Sequence, residues 1–160
     1  LVVSSAGGAP LDRTFYQAVK GMVAPLPLLH RRSHLLLAGG CAEGIGSREY
    51  RALMFEYAGK PNRFTRDIRR ARRVRKDQWE LQMQVKVLDR IGVGRLHFFT
   101  TGIPRADQER LSVTPCDSAG RSAVSAFQSA FDVLARGVAP SRIAVLPEGP
   151  YVVVQQSLVR

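Results

Sequence analysis

Apolar runs alternate with amphipathic stretches along this 160-residue chain. Leu1 to Ser4 reads as a short strand, and Ser5-Ala6-Gly7-Gly8-Ala9-Pro10 as a loop whose glycines allow close backbone approach. A helix follows: Asp12 is placed to cap it, Phe15, Val19 and Met22 recur at i, i+4 and i+7, and Pro25 with Pro27 end it. Leu35 to Ala38 is a continuous apolar run of the kind found in buried parallel strands. Gly39-Gly40 closes the run, and the loop Cys41-Ala42-Glu43-Gly44-Ile45-Gly46 leads through the cap Ser47 into a helix with Tyr50, Leu53, Met54 and Tyr57. Strand, glycine loop and helix thus occur twice in succession.

The next helical region runs from about Thr65 to Ile91, as one helix or two, with Leu81, Val85 and Leu88 as its inward stripe. Leu96 to Thr100 is strand-like, and Ala106 to Leu111 suits a short helix after Pro104. Ser122 to Ala135 patterns as an amphipathic helix with Val124, Phe127, Phe131 and Leu134 on one side. Ile143 to Leu146 and Tyr151 to Val154 read as strands around Pro147-Glu148-Gly149-Pro150. This alternation predicts a three-layer α/β/α domain with a mainly parallel sheet, because crossover connections place helices on both sheet faces.

Length and composition fit one domain spanning residues 1–160, with 45% apolar residues to fill a core. The chain opens at Leu1-Val2-Val3-Ser4 without an initiator Met or a charged lead-in, which reads as a start inside a structural element of a longer protein. No run of about 18 apolar residues and no basic-then-apolar leader is present, so the pattern offers neither a membrane span nor a signal peptide. Cys41 and Cys116 stand 75 positions apart without a second pair, which suits a reduced cytoplasm better than a disulfide framework.

Charge changes the picture. Lys and Arg outnumber Asp and Glu by 24 to 13, for a net charge of +11, and a polyanion such as nucleic acid becomes a possible partner. The excess is local: Arg63, Arg66, Arg69, Arg70, Arg72, Arg73, Arg75 and Lys76 face a single acid, Asp67. At helical spacing Arg66, Arg69, Arg70 and Arg73 share one face, with Ile68, Ala71 and Val74 turned inward. Such a face serves as a solvated surface, as a patch neutralised elsewhere in a longer chain, or as a noncatalytic polyanion-binding module. No zinc-finger ligand set or aromatic nucleic-acid-binding strand accompanies it.

In open α/β sheets ligands gather at the carboxyl ends of strands, where both glycine loops belong. The first offers backbone N–H groups at Gly7 and Gly8 before a helix, and Arg13 adds a fork of donors for a carboxylate or phosphate. As a bare pattern this is equally a tight turn with a cap. His30 and His34 have the i, i+4 spacing of a metal pair, but the prolines before them and the strand after them disrupt a helix, and no third ligand is near in sequence. No metal ligand and no catalytic residue is assigned. His97 alternates with Leu96 and Phe98 and reads as structural, Cys41 as a small residue in a tight turn, and Lys20 as helix-solvating.

Three segments carry a resemblance. Ser5-Ala6-Gly7-Gly8-Ala9-Pro10-Leu11-Asp12 followed by Tyr16-Gln17-Ala18-Val19-Lys20-Gly21 resembles the Gly-Gly-x-Pro-x-Asp segment and Tyr-Gln-x-x-Lys helix of the nickel-dependent lactate racemases. Leu36 to Gly46 is similar to that family's apolar strand and Glu-Gly-x-Gly loop, and Lys76-Asp77-Gln78-Trp79 resembles its Asp-Gln-Trp helix start. The order is the same, and the motifs cover Val2 to Leu88.

The resemblance implies the carboxy-terminal domain of a two-domain enzyme, with the active site in the interdomain cleft. Its cofactor would be a nickel pincer nucleotide, tethered to a lysine and held mainly by the amino-terminal catalytic domain, and its substrate a 2-hydroxy acid. On this reading the present chain supplies closing contacts from Gly7, Gly8, Asp12, Arg13, Gln78 and Trp79, the indole excluding water and stacking on a flat ring. Members active on lactate tend to carry an aromatic residue where this chain has Ala9, a departure that bears on substrate and activity.

Overall fold

Five short parallel strands form the centre of the molecule in the computed structural model, which describes residues 1–118 and 120–155. In chain order the elements are β1 (Val2–Ser5), α1 (Phe15–Val23), β2 (Leu35–Ala38), α2 (Arg48–Glu56), α3 (Pro61–Arg70), α4 (Gln78–Ile91), β3 (Leu96–Phe99), α5 (Arg105–Gln108), β4 (Thr114–Pro115), α6 (Ala123–Ala135) and β5 (Ala144–Leu146). The sheet order is β4-β3-β2-β1-β5. Every pairing is parallel, with Val2 beside both Leu35 and Ala144, and Leu35 beside Leu96. The fold is therefore the expected three-layer α/β/α arrangement.

Strand side chains alternate between faces, and the alternation explains why Leu35-Leu36-Leu37 is apolar throughout. Val2, Leu35, Leu37, Leu96 and Phe98 join one core cluster with Phe15, Ala18, Val19 and Met22 of α1 and Leu81, Val85 and Leu88 of α4. Phe15 meets Phe98 edge-on at 5.2 Å between ring centroids. On the opposite face Phe99 meets Phe127 of α6 at 5.7 Å. Helix α1 lies so close to β1 that a Cβ on Gly21 would stand 2.2 Å from the Ser5 carbonyl oxygen, and Ser4 Oγ donates to the Gly21 carbonyl at 2.7 Å. Glycine at 21 is therefore a packing requirement, despite its cost in helix propensity.

Several local expectations need correction. Thr14, not Asp12, caps α1: its Oγ1 accepts from Gln17 N at 3.4 Å, and Asp12 is used elsewhere. Ser47 does cap α2, accepting from Tyr50 N at 3.0 Å. The long basic-to-apolar region is two helices. The backbone turns extended at Ala71 (φ −69°, ψ 134°), so Arg73 lies beyond α3, and Ala71 and Val74 face solvent, Val74 being 84% exposed. Only Ile68 of the supposed inward trio packs on the core. In α6, Val124 is exposed instead of joining the apolar side. Residues 152–155 are not a strand; a short 3-10 turn at Gly149–Tyr151 leads into them.

Candidate functional site

Two loops leave the carboxyl ends of β1 and β2 and are laced together. Ala6 N donates to the Ala38 carbonyl at 2.8 Å, Cys41 N to that of Asp12 at 2.8 Å and Glu43 N to that of Arg13 at 2.7 Å. Phe15 N and Tyr16 N donate to Gly44 and Ile45 at 2.9 and 3.0 Å. The Asp12 carboxylate completes the lacing by accepting from Gly40 N at 2.6 Å. These bonds satisfy loop amides that would otherwise need water, and they make one rigid ridge of two glycine-rich segments. Gly7 and Gly8 lie at φ 88° and 70°, in the left-handed region that glycine enters without penalty.

The ridge separates two concavities. One, of about 580 Å³, is walled by Gly7, Gly8, Asp12, Gly40, Phe99 and Glu148. The other, of about 490 Å³, is walled by Thr14, Tyr16, Glu43, Gly46, Lys76 and Asp77. Arg13 belongs with the second, because Nη1 pairs with Glu43 Oε1 at 3.2 Å, both side chains being largely exposed. Trp79 is 49% exposed, and its Nε1 donates to Tyr16 Oη at 2.9 Å. Its indole thus stands beside the second concavity through a wall residue of it, 63 positions away in sequence.

Gln78 behaves differently from the other proposed contacts. Its side chain is buried, and its Oε1 accepts from Arg75 N at 3.1 Å, so its amide oxygen is engaged in shaping the entry to α4. That entry is pinned further by the Ser47 hydroxyl, which donates to Asp77 Oδ2, and by Lys76 pairing with Glu49 at 3.2 Å. Gly7, Gly8 and Asp12 therefore gather at one concavity, Arg13 and Trp79 at its neighbour, and Gln78 beneath the surface.

Residues 1–154 match the family model described as the lactate racemase C-terminal domain. The chain belongs to that family. Lactate racemase from Thermoanaerobacterium thermosaccharolyticum is 32% identical over 89 residues, covering 55% of this chain and 21% of that protein. The solved structure of the lactate racemase apoprotein from the same organism superposes with a TM-score of 0.72 at 25% identity, over 97% of this chain and 35% of the other. The chain spans well under half the length of both relatives.

The seam between α1 and α4 brings Lys20, read from the sequence as helix-solvating, close to Glu80, which the sequence did not single out. Lys20 Nζ donates to Gln17 Oε1 at 2.6 Å on α1. Across from it Glu80 is only 1% exposed, and its Oε1 has no hydrogen-bond partner among the described residues. Burial pushes its carboxyl up to about 7, with Lys20 opposing and Asp77 adding to the shift. Tyr50, edge-on to Tyr16 at 5.1 Å, is also buried, with no partner for Oη among the described residues and its pKa raised by desolvation. The Tyr16-Gln17-x-x-Lys20 spacing was the available signal, since i, i+3 and i+4 positions share a helix face. Nothing in the local pattern around Glu80 marks it as buried and acidic.

Other titratable groups are accounted for by packing. His30 and His34 share no helix; His34 stacks on His97 at 5.2 Å, with 2.9 Å between Nδ1 and Nε2. Burial, then His34, takes His97 down to about 4, so its ring is neutral near pH 7, and burial lowers His34 as well. Burial likewise takes the Cys41 thiol up to about 12, which leaves almost no thiolate for nucleophilic chemistry. Among the described residues no group of three or more His, Cys, Asp or Glu is arranged to hold a metal ion.

Proposed function

We propose that this chain is the carboxy-terminal domain of a longer two-domain enzyme that racemises or epimerises a 2-hydroxy acid. In that reading an amino-terminal catalytic domain holds most of a nickel pincer nucleotide, which when bound accepts a hydride from the substrate α-carbon and returns it. Among the described residues no group of three or more metal-ligating side chains is gathered, and the exposed groups fit a covering role. The observation that carries the reading is the family match along nearly the whole chain, joined to an exposed indole and an exposed guanidinium beside one concavity at the carboxyl edge of the sheet.

Each residue has a separate task. Trp79, its N–H held by Tyr16, presents an indole wall that excludes water from a closed site. Arg13 exchanges its exposed pairing with Glu43 for a charge-assisted contact to an anionic group. Gly7 and Gly8 let a partner approach the backbone, and Asp12 keeps the ridge rigid. A cytoplasmic setting fits the two free cysteines. Among the described residues no helix is long and apolar enough to cross a membrane.

The test uses the full natural enzyme loaded with its cofactor. Trp79→Ala should lower kcat by about 10- to 100-fold, and Arg13→Ala should raise KM by about 10-fold, roughly 1.4 kcal/mol. Circular dichroism should be unchanged for both, because both side chains are substantially exposed. Wild-type kcat and KM in both variants would remove the covering role proposed for Arg13 and Trp79.

A further inference from the structure

The basic segment divides into neutralised and unneutralised parts. Arg63 and Arg66 both lean on Asp67, at 3.4 and 3.7 Å. Arg75 pairs with Glu56 at 2.8 Å and Lys76 with Glu49 at 3.2 Å. Between them Arg69, Arg70, Arg72 and Arg73 are all exposed and make no ion pair or side-chain hydrogen bond with any described residue. The ion pairs thus fall at the two ends of the run, and the four guanidiniums in its middle are left without a salt bridge to any described residue, Asp89 included.

Two of those cations, Arg69 and Arg70, border a concavity of about 670 Å³ between α3 and α4, and Arg72 and Arg73 follow in the segment after α3. Asn62, Thr65, Arg66, Arg69 and Arg70 line it from α3, and Asp89 from α4. Arg66 and Arg70 stand one turn apart, about 6 Å along the axis, a distance comparable to two steps along one nucleic-acid strand at roughly 3.4 Å per phosphate. Guanidinium forks suit phosphate oxygens, and the neighbouring amide and hydroxyl add neutral donors. No aromatic side chain lines the concavity among the described residues, and Phe64 and Tyr57 nearby in sequence are buried. A ligand here would be read by its backbone charge and not by base stacking.

We propose that the α3/α4 concavity and the arginines that follow it form a sequence-independent binding surface for the phosphate backbone of nucleic acid, separate from the glycine-loop site. The reading of those loops can fail without touching this surface, and the converse holds.

The experiment measures fluorescence anisotropy of labelled single-stranded RNA and of duplex DNA, each in two unrelated sequences, with the full natural protein. With roughly four phosphates neutralised on a single strand, affinity should fall about 50-fold between about 50 and about 200 mM salt. The two sequences of each type should bind within about threefold of each other. R69Q/R70Q/R72Q/R73Q should abolish binding and leave the circular dichroism spectrum unchanged, because all four side chains are exposed. R31Q/R32Q/R136Q/R142Q, which removes the same charge from exposed positions elsewhere, should bind within a few-fold of wild type. The proposal is overturned by equal losses in the two quadruple variants, which would indicate net charge alone. It is also overturned by a wild-type protein that binds neither probe at the lower salt, as when another part of the natural chain covers the arginines.

Discussion

The two faces of the sheet are built from similar sequence patterns and end up differently sealed. On one, α1 and α4 pack against each other as well as against the strands, and Phe15, Ala18, Val19 and Met22 are fully buried. On the other, α6 has a comparable apolar stripe but buries only Ala126, leaving Val124 82% and Val133 64% exposed. The edge strand β5 likewise presents Val145 to solvent. An amphipathic helix is covered completely only where a second helix lies beside it. The sealed face also carries the cost of sealing, because Glu80, Gln84 and Tyr50 lose water there without gaining full hydrogen bonding.

The largest effect that would sharpen the contrast comes from Phe98→Ala. Its ring is fully buried between β-strands and Phe15, so the substitution should lower unfolding free energy by about 3–5 kcal/mol in urea melts. A loss near 1 kcal/mol would mean that the sealed face collapses around the cavity and is less rigid than its packing implies.

Glu80→Gln probes the polar cost of the same face. The folded carboxyl titrates near 7, against 4.5 for an ordinary one, so across that window the native state keeps a proton that the unfolded chain has released. Stability of the wild type should therefore fall as pH rises from about 4.5 to about 7, whereas the uncharged glutamine escapes the fall. The variant's advantage should grow to the order of 1–3 kcal/mol at about pH 8, and vanish at about pH 4. An advantage that does not grow with pH would show that Lys20 holds the glutamate ionised at little cost.

The smallest change is expected on the open face. Val124→Ser should shift stability by no more than about 0.5 kcal/mol, because the methyls are already in water. A larger loss in the full natural protein than in this chain would reveal that the open face is covered there, and would weaken the comparison as a property of the fold.

Much of this was legible from pattern. The Leu35–Ala38 run and the Ser47 cap emerged at their expected places because an all-apolar strand needs two covered faces and a serine before Glu and Tyr satisfies a helix amide. The cap of α1 was misplaced by two residues, since Asp12 and Thr14 are both competent and only the second loop's Gly40 N–H decides which is occupied elsewhere. Arginines at helical spacing continued past Arg70 as though the helix did, yet the backbone turns extended at Ala71, and local charge pattern carries no information about that. Among the candidate contacts, the glycine loop was visible as punctuation, but the buried engagement of Gln78 was not.

What the sequence determined by itself is local: the period of each apolar stripe, the residues that cap and break helices, the concentration of charge at 63–76, and the three ordered motifs that mark the family. Tertiary structure alone decided that Trp79 meets Tyr16 across 63 positions, that the two glycine loops lace into one ridge, and that Glu80 is buried while Arg69, Arg70, Arg72 and Arg73 make no ion pair with any described residue. The division has a physical origin. Short-range hydrogen bonding and steric preference act over a few residues and can be read along the chain, whereas burial and ion pairing depend on which distant surfaces the packing of helices on the sheet brings together.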